Sequence, residues 1–312
     1  MKAFTLELEA HRFAFLESLR VRGQSPATLK SRSQSLSSFF LWMAGEGIGD
    51  VREVTREHIR AYQLWLQHRP PGSGFSTQTL HVKLISLRRF FEHLEATDAV
   101  LINPCVGLIL PKLEDRLPRG VLSLAEARRL LDAPDTQTKK GIRDKAILEL
   151  FYSTGIRGEE MAALTIHDVD CKNGFVRVTK GKFAKDRVVP MGAKAADYVA
   201  EYLRKVRLPW SQHQKDERSV WLSSIWPHGP LKKQAVAVMV KEYKKLAGIE
   251  CPGRTHLWRH TCATHMVQGG ANLAYVQRLL GHRSLETTQI YTRVSAVEVA
   301  DTIRRKHPRR RA

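Results

Sequence analysis

Apolar residues recur at helical spacing through most of this chain. Leu29, Leu36, Phe39, Phe40 and Met43 form one stripe. It follows a start signal in which Ser25 caps and Pro26 takes the first helical position. Thr55 opens another segment, whose apolar positions are Ile59, Tyr62, Leu64 and Leu66. After the Pro70-Pro71-Gly72 loop, Ser76 precedes a longer pattern of Leu80, Leu84, Leu87, Phe90, Phe91 and Leu94. Together these segments predict a small helical bundle over residues 1–103.

The character changes over residues 104–122. Asn103-Pro104 and Leu110-Pro111 disfavour helix, and charged residues gather there, so the stretch reads as an extended linker. Ser123 and Glu126 then have capping-box spacing and open a second domain, 123–312. Residues 174–178 alternate as a strand, residues 186–190 read as its antiparallel partner, and the intervening lysines lie in a hairpin loop. Residues 219–222 are a candidate third strand. The expected fold class is therefore mainly α with a small antiparallel β-sheet, in two domains.

Charge adds a partner. Lys and Arg number 51 against 31 Asp and Glu, a formal charge of +20, which fits a polyanion such as nucleic acid or an anionic membrane surface. No apolar run reaches the ~18 residues of a membrane span. The acidic residues in the N-terminal segment argue against a signal peptide, so the expected location is cytoplasmic. Cys105, Cys171, Cys251 and Cys262 have no metal-binding spacing and read as reduced structural thiols.

The C-terminal half holds residues suited to phosphodiester chemistry. That chemistry needs a nucleophile, stabilisation of a crowded anionic phosphorus, and a proton for the leaving oxygen. Arginine can supply the stabilisation, because its planar fork matches phosphate oxygens. Arg157 follows a helix end at Thr154-Gly155 and starts the next helix. His256 and Arg259 are three residues apart and share a helix face. His256 and His260 also have the i, i+4 spacing of a helical zinc site, but Leu257 stands where that motif needs glutamate. His260 taken alone reads as a core histidine. His282 follows a glycine-capped helix end at Leu279-Leu280-Gly281. Tyr291, taken alone, reads as an ordinary packing tyrosine.

As a set these residues resemble the tyrosine recombinases, or phage integrase family, most closely the Xer-type branch. The likeness is carried by the runs 259–266, 276–282 and 287–292, with 23 residues from Arg259 to His282 and nine from His282 to Tyr291. The resemblance implies a SAM-like, DNA-binding helical N-terminal domain before the catalytic one. It implies that Arg157 and Arg259 clamp the scissile phosphate and that His256 accepts the tyrosine proton or bonds the phosphate. His282 would support the phosphate, and Glu160 the site. Tyr291 would attack to give a 3′-phosphotyrosyl bond and a free 5′-hydroxyl, with neither metal, cofactor nor ATP. A hairpin lysine would protonate the leaving oxygen. Alignment of Gly181-Lys182 selects Lys182; counting from the Lys-Gly pair selects Lys180; Lys185 reads as a phosphate contact. The implied partner is double-stranded DNA with paired half-sites, held by a homo- or hetero-tetramer. A short apolar-faced helix over residues 294–303 would pass to a neighbouring subunit.

Two departures stand out. Arg32 occupies a place often aromatic in relatives, and the hairpin is one residue longer than in close Xer proteins. Other readings are a non-catalytic DNA-binding protein of the same fold, a metal-dependent hydrolase on His256, His260 and His265, and a tyrosine enzyme that relaxes or resolves DNA.

Overall fold

The computed structural model describes residues 6–68, 74–113, 120–179, 186–212 and 217–281. The chain divides into two compact units, Met1–Asp115 and Arg116–Ala312.

The first unit contains α1 (Leu6–Val21), α2 (Pro26–Gly45), α3 (Arg56–Gln67) and α4 (Thr77–Ala96). Their starts follow local chemistry. Ser25, Thr55 and Ser76 each accept a backbone N–H three residues on, satisfying a donor the helix leaves orphaned. The apolar stripes meet in a core of Phe15, Leu36, Phe39, Phe40, Met43, Tyr62, Leu87, Phe90 and Phe91. Its aromatic rings meet edge to face, as at Phe39–Tyr62 with centroids 4.9 Å apart. Leu64, expected on the apolar face of α3, is exposed instead. It lies two residues from both Tyr62 and Leu66, so it rotates away from the face they share. Arg32 reaches across to α4 and donates to the buried Ser86 hydroxyl at 2.8 Å, so a small polar residue accommodates this departure.

Part of the expected linker packs on this unit. Cys105 and Leu108 are buried in its core. The Leu108 carbonyl accepts from Arg88, and the Asn103 N–H donates to Glu95, both partners on α4. At the far end of that stretch, Leu122 is buried in the second unit, where its N–H donates to the Thr261 hydroxyl at 3.1 Å.

The second unit runs α5 (Leu124–Asp132), α6 (Lys139–Thr154), α7 (Gly158–Ala162), β1 (Val169–Asp170), β2 (Phe175–Val178), β3 (Arg187–Pro190), α8 (Ala193–Tyr202), α9 (Leu208–Ser211), α10 (Lys233–Leu246), α11 (Thr255–Gln268) and α12 (Leu273–Leu280). Ser123 and Glu126 form the expected capping box on α5. The sheet is antiparallel in the order β1-β2-β3, with Val178 opposite Arg187 at the root of the hairpin loop. Helix α6 runs through the middle of the core, with Ala146, Ile147, Leu150 and Phe151 all buried.

Residues 219–222 do not form the third strand; Val169–Asp170 does. The stretch makes isolated bridges, Thr165 to Ser219 and Leu222 to Pro230. Val220, Trp221 and Leu222 are all buried, so the stretch lacks a solvent face. It is bound piecemeal, by the Tyr202 hydroxyl, Arg143 and Arg207. Among the described residues no helix is long and apolar enough to cross a membrane.

Candidate active site

Three elements converge around one carboxylate. Helix α6 ends at Gly155, whose left-handed φ of 60° turns the chain sharply so that Arg157 becomes the cap of α7. Glu160, one turn into α7, accepts the Arg157 backbone N–H at 2.8 Å and the Arg157 Nη1 at 2.8 Å. Arg187, the first residue of β3, donates Nη1 and Nη2 to the same two oxygens at 3.0 and 2.8 Å. Glu160 is buried. Burial alone would raise its pKa, but the Arg187 hydrogen bonds, the Arg157 N–H, the Arg187 charge and the Arg157 side-chain hydrogen bond outweigh burial and hold it down at about 2. Glu160 is thus an anion at every physiological pH, as a buried carboxylate must be paired to remain.

Helix α11 brings the second arginine. Its first turn lies directly against α7: a Cβ on Gly158 would sit 2.7 Å from the Thr255 hydroxyl oxygen, so only glycine permits this approach. Arg259 is buried and donates to the Gly155 carbonyl at 2.9 Å and the Leu280 carbonyl at 2.5 Å. Both carbonyls belong to helix C-termini, of α6 and α12, where partial negative charge favours a cation. Arg259 therefore ties together the turn leading to Arg157 and the turn, capped by Gly281 at φ 65°, that leads to His282.

Gly155→Ala should disturb this junction. The new Cβ would lie 2.8 Å from a Leu280 methyl, in a backbone conformation costing an L-residue about 1–2 kcal/mol. A fall in melting temperature is expected in thermal unfolding, with a larger fractional loss of cleavage because the Gly155 carbonyl is an Arg259 acceptor. An unchanged melting temperature would contradict this packing.

His256, in the first turn of α11, is exposed to solvent. Desolvation by its neighbours, then the charges of Arg259, Arg157 and Lys233, lower its pKa from the ordinary 6.5. Because the residue stays open to water, the three cations are the firmer cause. Lys233, at the start of α10, forms an ion pair with Glu159 of α7. His260 is pushed down to about 4, by burial first and then by His256 and Arg259. Both rings are therefore neutral at neutral pH, and a neutral His256 can accept a proton. If His256 takes the nucleophile's proton, as the resemblance implies, cleavage should fall on the acid side only as pH drops through its lowered pKa, below 6.5. Lys233→Gln removes one of the three cations and should move that acid limb upward, measurable in single-turnover pH profiles. A midpoint at or above 6.5 in the unsubstituted protein would be the contrary result.

The three-histidine metal site does not assemble. His265 uses both ring nitrogens, one with the Tyr152 hydroxyl at 2.9 Å and one with the Leu122 carbonyl at 2.8 Å. Among the described residues no group of three His, Cys, Asp or Glu could hold a metal ion. His265 instead fastens the entry of the second unit to α11.

Of the expected site residues, the structure brings Arg157, Glu160, His256 and Arg259 together. Lys180, Lys182, Lys185, His282, Tyr291 and residues 294–303 lie outside the described residues. Sequence reasoning passed over Arg187, Gly158 and Lys233. Arg187 did leave a signal: it has the same strand parity as the buried Val189, and an arginine on an inward face requires an acidic partner.

Comparison with known proteins gives the context. The phage integrase family profile matches residues 121–298, and the N-terminal SAM-like domain of phage integrases matches residues 13–97. Tyrosine recombinase XerC 2 of Ralstonia nicotianae is 39% identical over 308 residues, spanning 98% of this chain and 86% of that protein. Tyrosine recombinase XerD of Listeria monocytogenes is 34% identical over 290 residues, spanning 92% of this chain and 95% of that one. The fold is also that of the XerH site-specific recombinase, solved bound to its difH substrate before cleavage. That likeness has a TM-score of 0.72 at 20% identity and covers 92% of this chain and 83% of that chain. With the family profile matched over residues 121–298 and relatives at 39% and 34% identity spanning 98% and 92% of the sequence, the chain belongs to the phage integrase family of tyrosine recombinases.

Proposed function

We propose that this chain is a site-specific DNA recombinase that cuts and rejoins duplex DNA through a 3′-phosphotyrosyl intermediate. The observation that carries the reading is the convergence of Arg157, His256 and Arg259 on the α6–α7 and α11 junctions, beside the turn that leads to His282. Arg157 and Arg259 are the phosphate clamps. They place two fixed cations where metal enzymes place ions. Neutral His256 takes the proton as the Tyr291 hydroxyl attacks phosphorus. The bond to the 5′-oxygen breaks and the tyrosine–phosphorus bond forms. His282 bonds a phosphate oxygen, and Glu160 supports Arg157. The 5′-hydroxyl of a second strand reverses the step. One phosphoester replaces another, so the bond energy is kept and rejoining needs no ATP.

The partner is double-stranded DNA. Lambda integrase has been solved as a dimer bound to a core site and as a tetramer bound to a Holliday junction. For this chain we propose paired half-sites filled by four subunits, either copies of itself or copies with a related recombinase. Within each subunit, residues 1–103 form the core-binding domain, 104–122 the connection and 123–312 the catalytic domain. The protein would act in the cytoplasm, where the DNA is. A nicked suicide duplex tests the function: a protein–DNA band that survives denaturing electrophoresis is expected, and its absence with DNA still bound would favour the non-catalytic alternative.

The general acid is Lys182, with Lys180 as the alternative. The register of β2 and β3 fixes both ends of the loop that carries them. A leaving alkoxide is a strong base and needs a positioned acid, whereas a thiolate does not. Lys182→Ala should cleave ordinary DNA slowly and recover on a substrate with sulfur at the 5′ bridge. Recovery in Lys180→Ala alone would move the role to Lys180.

A further inference from the structure

We propose that Arg187 is a positioning residue of the cleavage centre, acting on Arg157 through Glu160. The inference rests on the reading of Arg157 as a phosphate clamp.

One side chain joins three elements: β3, which carries it, and α7 and α12, which it meets. Arg187 begins β3 opposite Val178, so it stands at the root of the loop that carries the candidate acids. Both of its terminal nitrogens bond the Glu160 carboxylate, the same carboxylate that holds the Arg157 N–H and Nη1. Its other side meets the end of α12: a Cβ built on Gly281 would lie 3.2 Å from its Cδ and Nε. The turn before His282 therefore closes onto Arg187.

Charge explains why a second arginine is needed. Glu160 shared between Arg157 and Arg187 leaves the trio one unit positive. Without Arg187, Glu160 and Arg157 would cancel, and the carboxylate would repel the phosphate that Arg157 must draw in. Arg187 thus keeps Arg157 available for the phosphate while Glu160 keeps its side chain in place. It also ties the β3 root and the α12 turn to that carboxylate, so the hairpin and the His282 turn share one anchor.

The test separates chemistry from binding. Single-turnover cleavage of a nicked duplex at saturating protein would be measured beside duplex affinity. Arg187→Ala should cut on the order of 10–100-fold more slowly, somewhat less than the loss of a direct oxyanion donor, with affinity within about threefold. Adding Glu160→Gln to Arg187→Ala removes the uncompensated carboxylate and should restore part of the rate, a non-additive recovery that mere loosening of the fold does not give. If Arg187→Ala fails to fold, Arg187→Gln keeps a hydrogen bond without the charge and takes the same measurements. A cleavage rate within twofold of the unsubstituted protein, or a double variant no faster than the single, overturns the proposal. Arg157→Ala run in parallel distinguishes the layers. If it cleaves normally the clamp reading itself falls; if it is inactive while the Arg187 variant is normal, only the role of Arg187 falls.

Discussion

Tyr291→Phe is expected to abolish covalent attachment to DNA while leaving duplex affinity almost unchanged. The substitution removes one oxygen and keeps the ring, so packing and charge around it barely alter. On the proposed mechanism the lost oxygen is the attacking atom, and none of the described residues of the site is a ready substitute. His256 is assigned to the proton, neither guanidinium offers a lone pair for attack, and Glu160 is committed to Arg157 and Arg187. Removing a nucleophile from a group that acts as a unit lowers rates by at least on the order of 10⁴. The covalent band from a suicide duplex should therefore vanish from denaturing gels, while native gels still show the complex. A persisting covalent band from pure variant protein would mean that another residue attacks.

Some of this was legible along the chain and some was not, for physical reasons. Helix starts were legible because capping is local: Ser25, Ser76 and Ser123 each bond a backbone N–H three residues away. The pairing of β2 with β3 was legible from alternation and the intervening loop. Ser219 to Leu222 misled because buried β-favouring residues can be bound one by one without a ladder. The burial of Cys105 and Leu108 in the first unit was not legible, because prolines mark where helix stops and burial can continue past that point. At the site, the i, i+3 spacing placed His256 with Arg259, whereas the pairing of Glu160 with Arg187 spans 27 residues and depends on how β3 lies against α7. The Thr255–Gly158 approach and the carbonyl partners of Arg259 are likewise tertiary facts. Family likeness named Arg157, Arg259 and Glu160; it did not say what holds them.

What holds Arg259 makes its substitution the second large effect. Arg259→Lys keeps the charge but should lower single-turnover cleavage on the order of 10²–10³-fold, the loss typical of one preorganised donor. A guanidinium reaches the Gly155 and Leu280 carbonyls with two separate nitrogens, at 2.9 and 2.5 Å, and its planar fork fixes their geometry. An ammonium is a single point at the end of a flexible stem. It can serve one carbonyl well or lie between them poorly, and in either case a buried carbonyl loses a partner. The two turns that Arg259 joins would then move independently, and those turns precede Arg157 and His282 in the chain. The proposed clamp would suffer twice, once by losing the bidentate match to phosphate and once by loosening its neighbours. Duplex affinity should change far less than the rate, because affinity for duplex DNA generally rests on many backbone-phosphate contacts and one residue supplies few of them. A rate within a few-fold of the unsubstituted protein would remove Arg259 from the clamp. A matching collapse of both affinity and melting temperature would reduce it to a structural tie between α6 and α12.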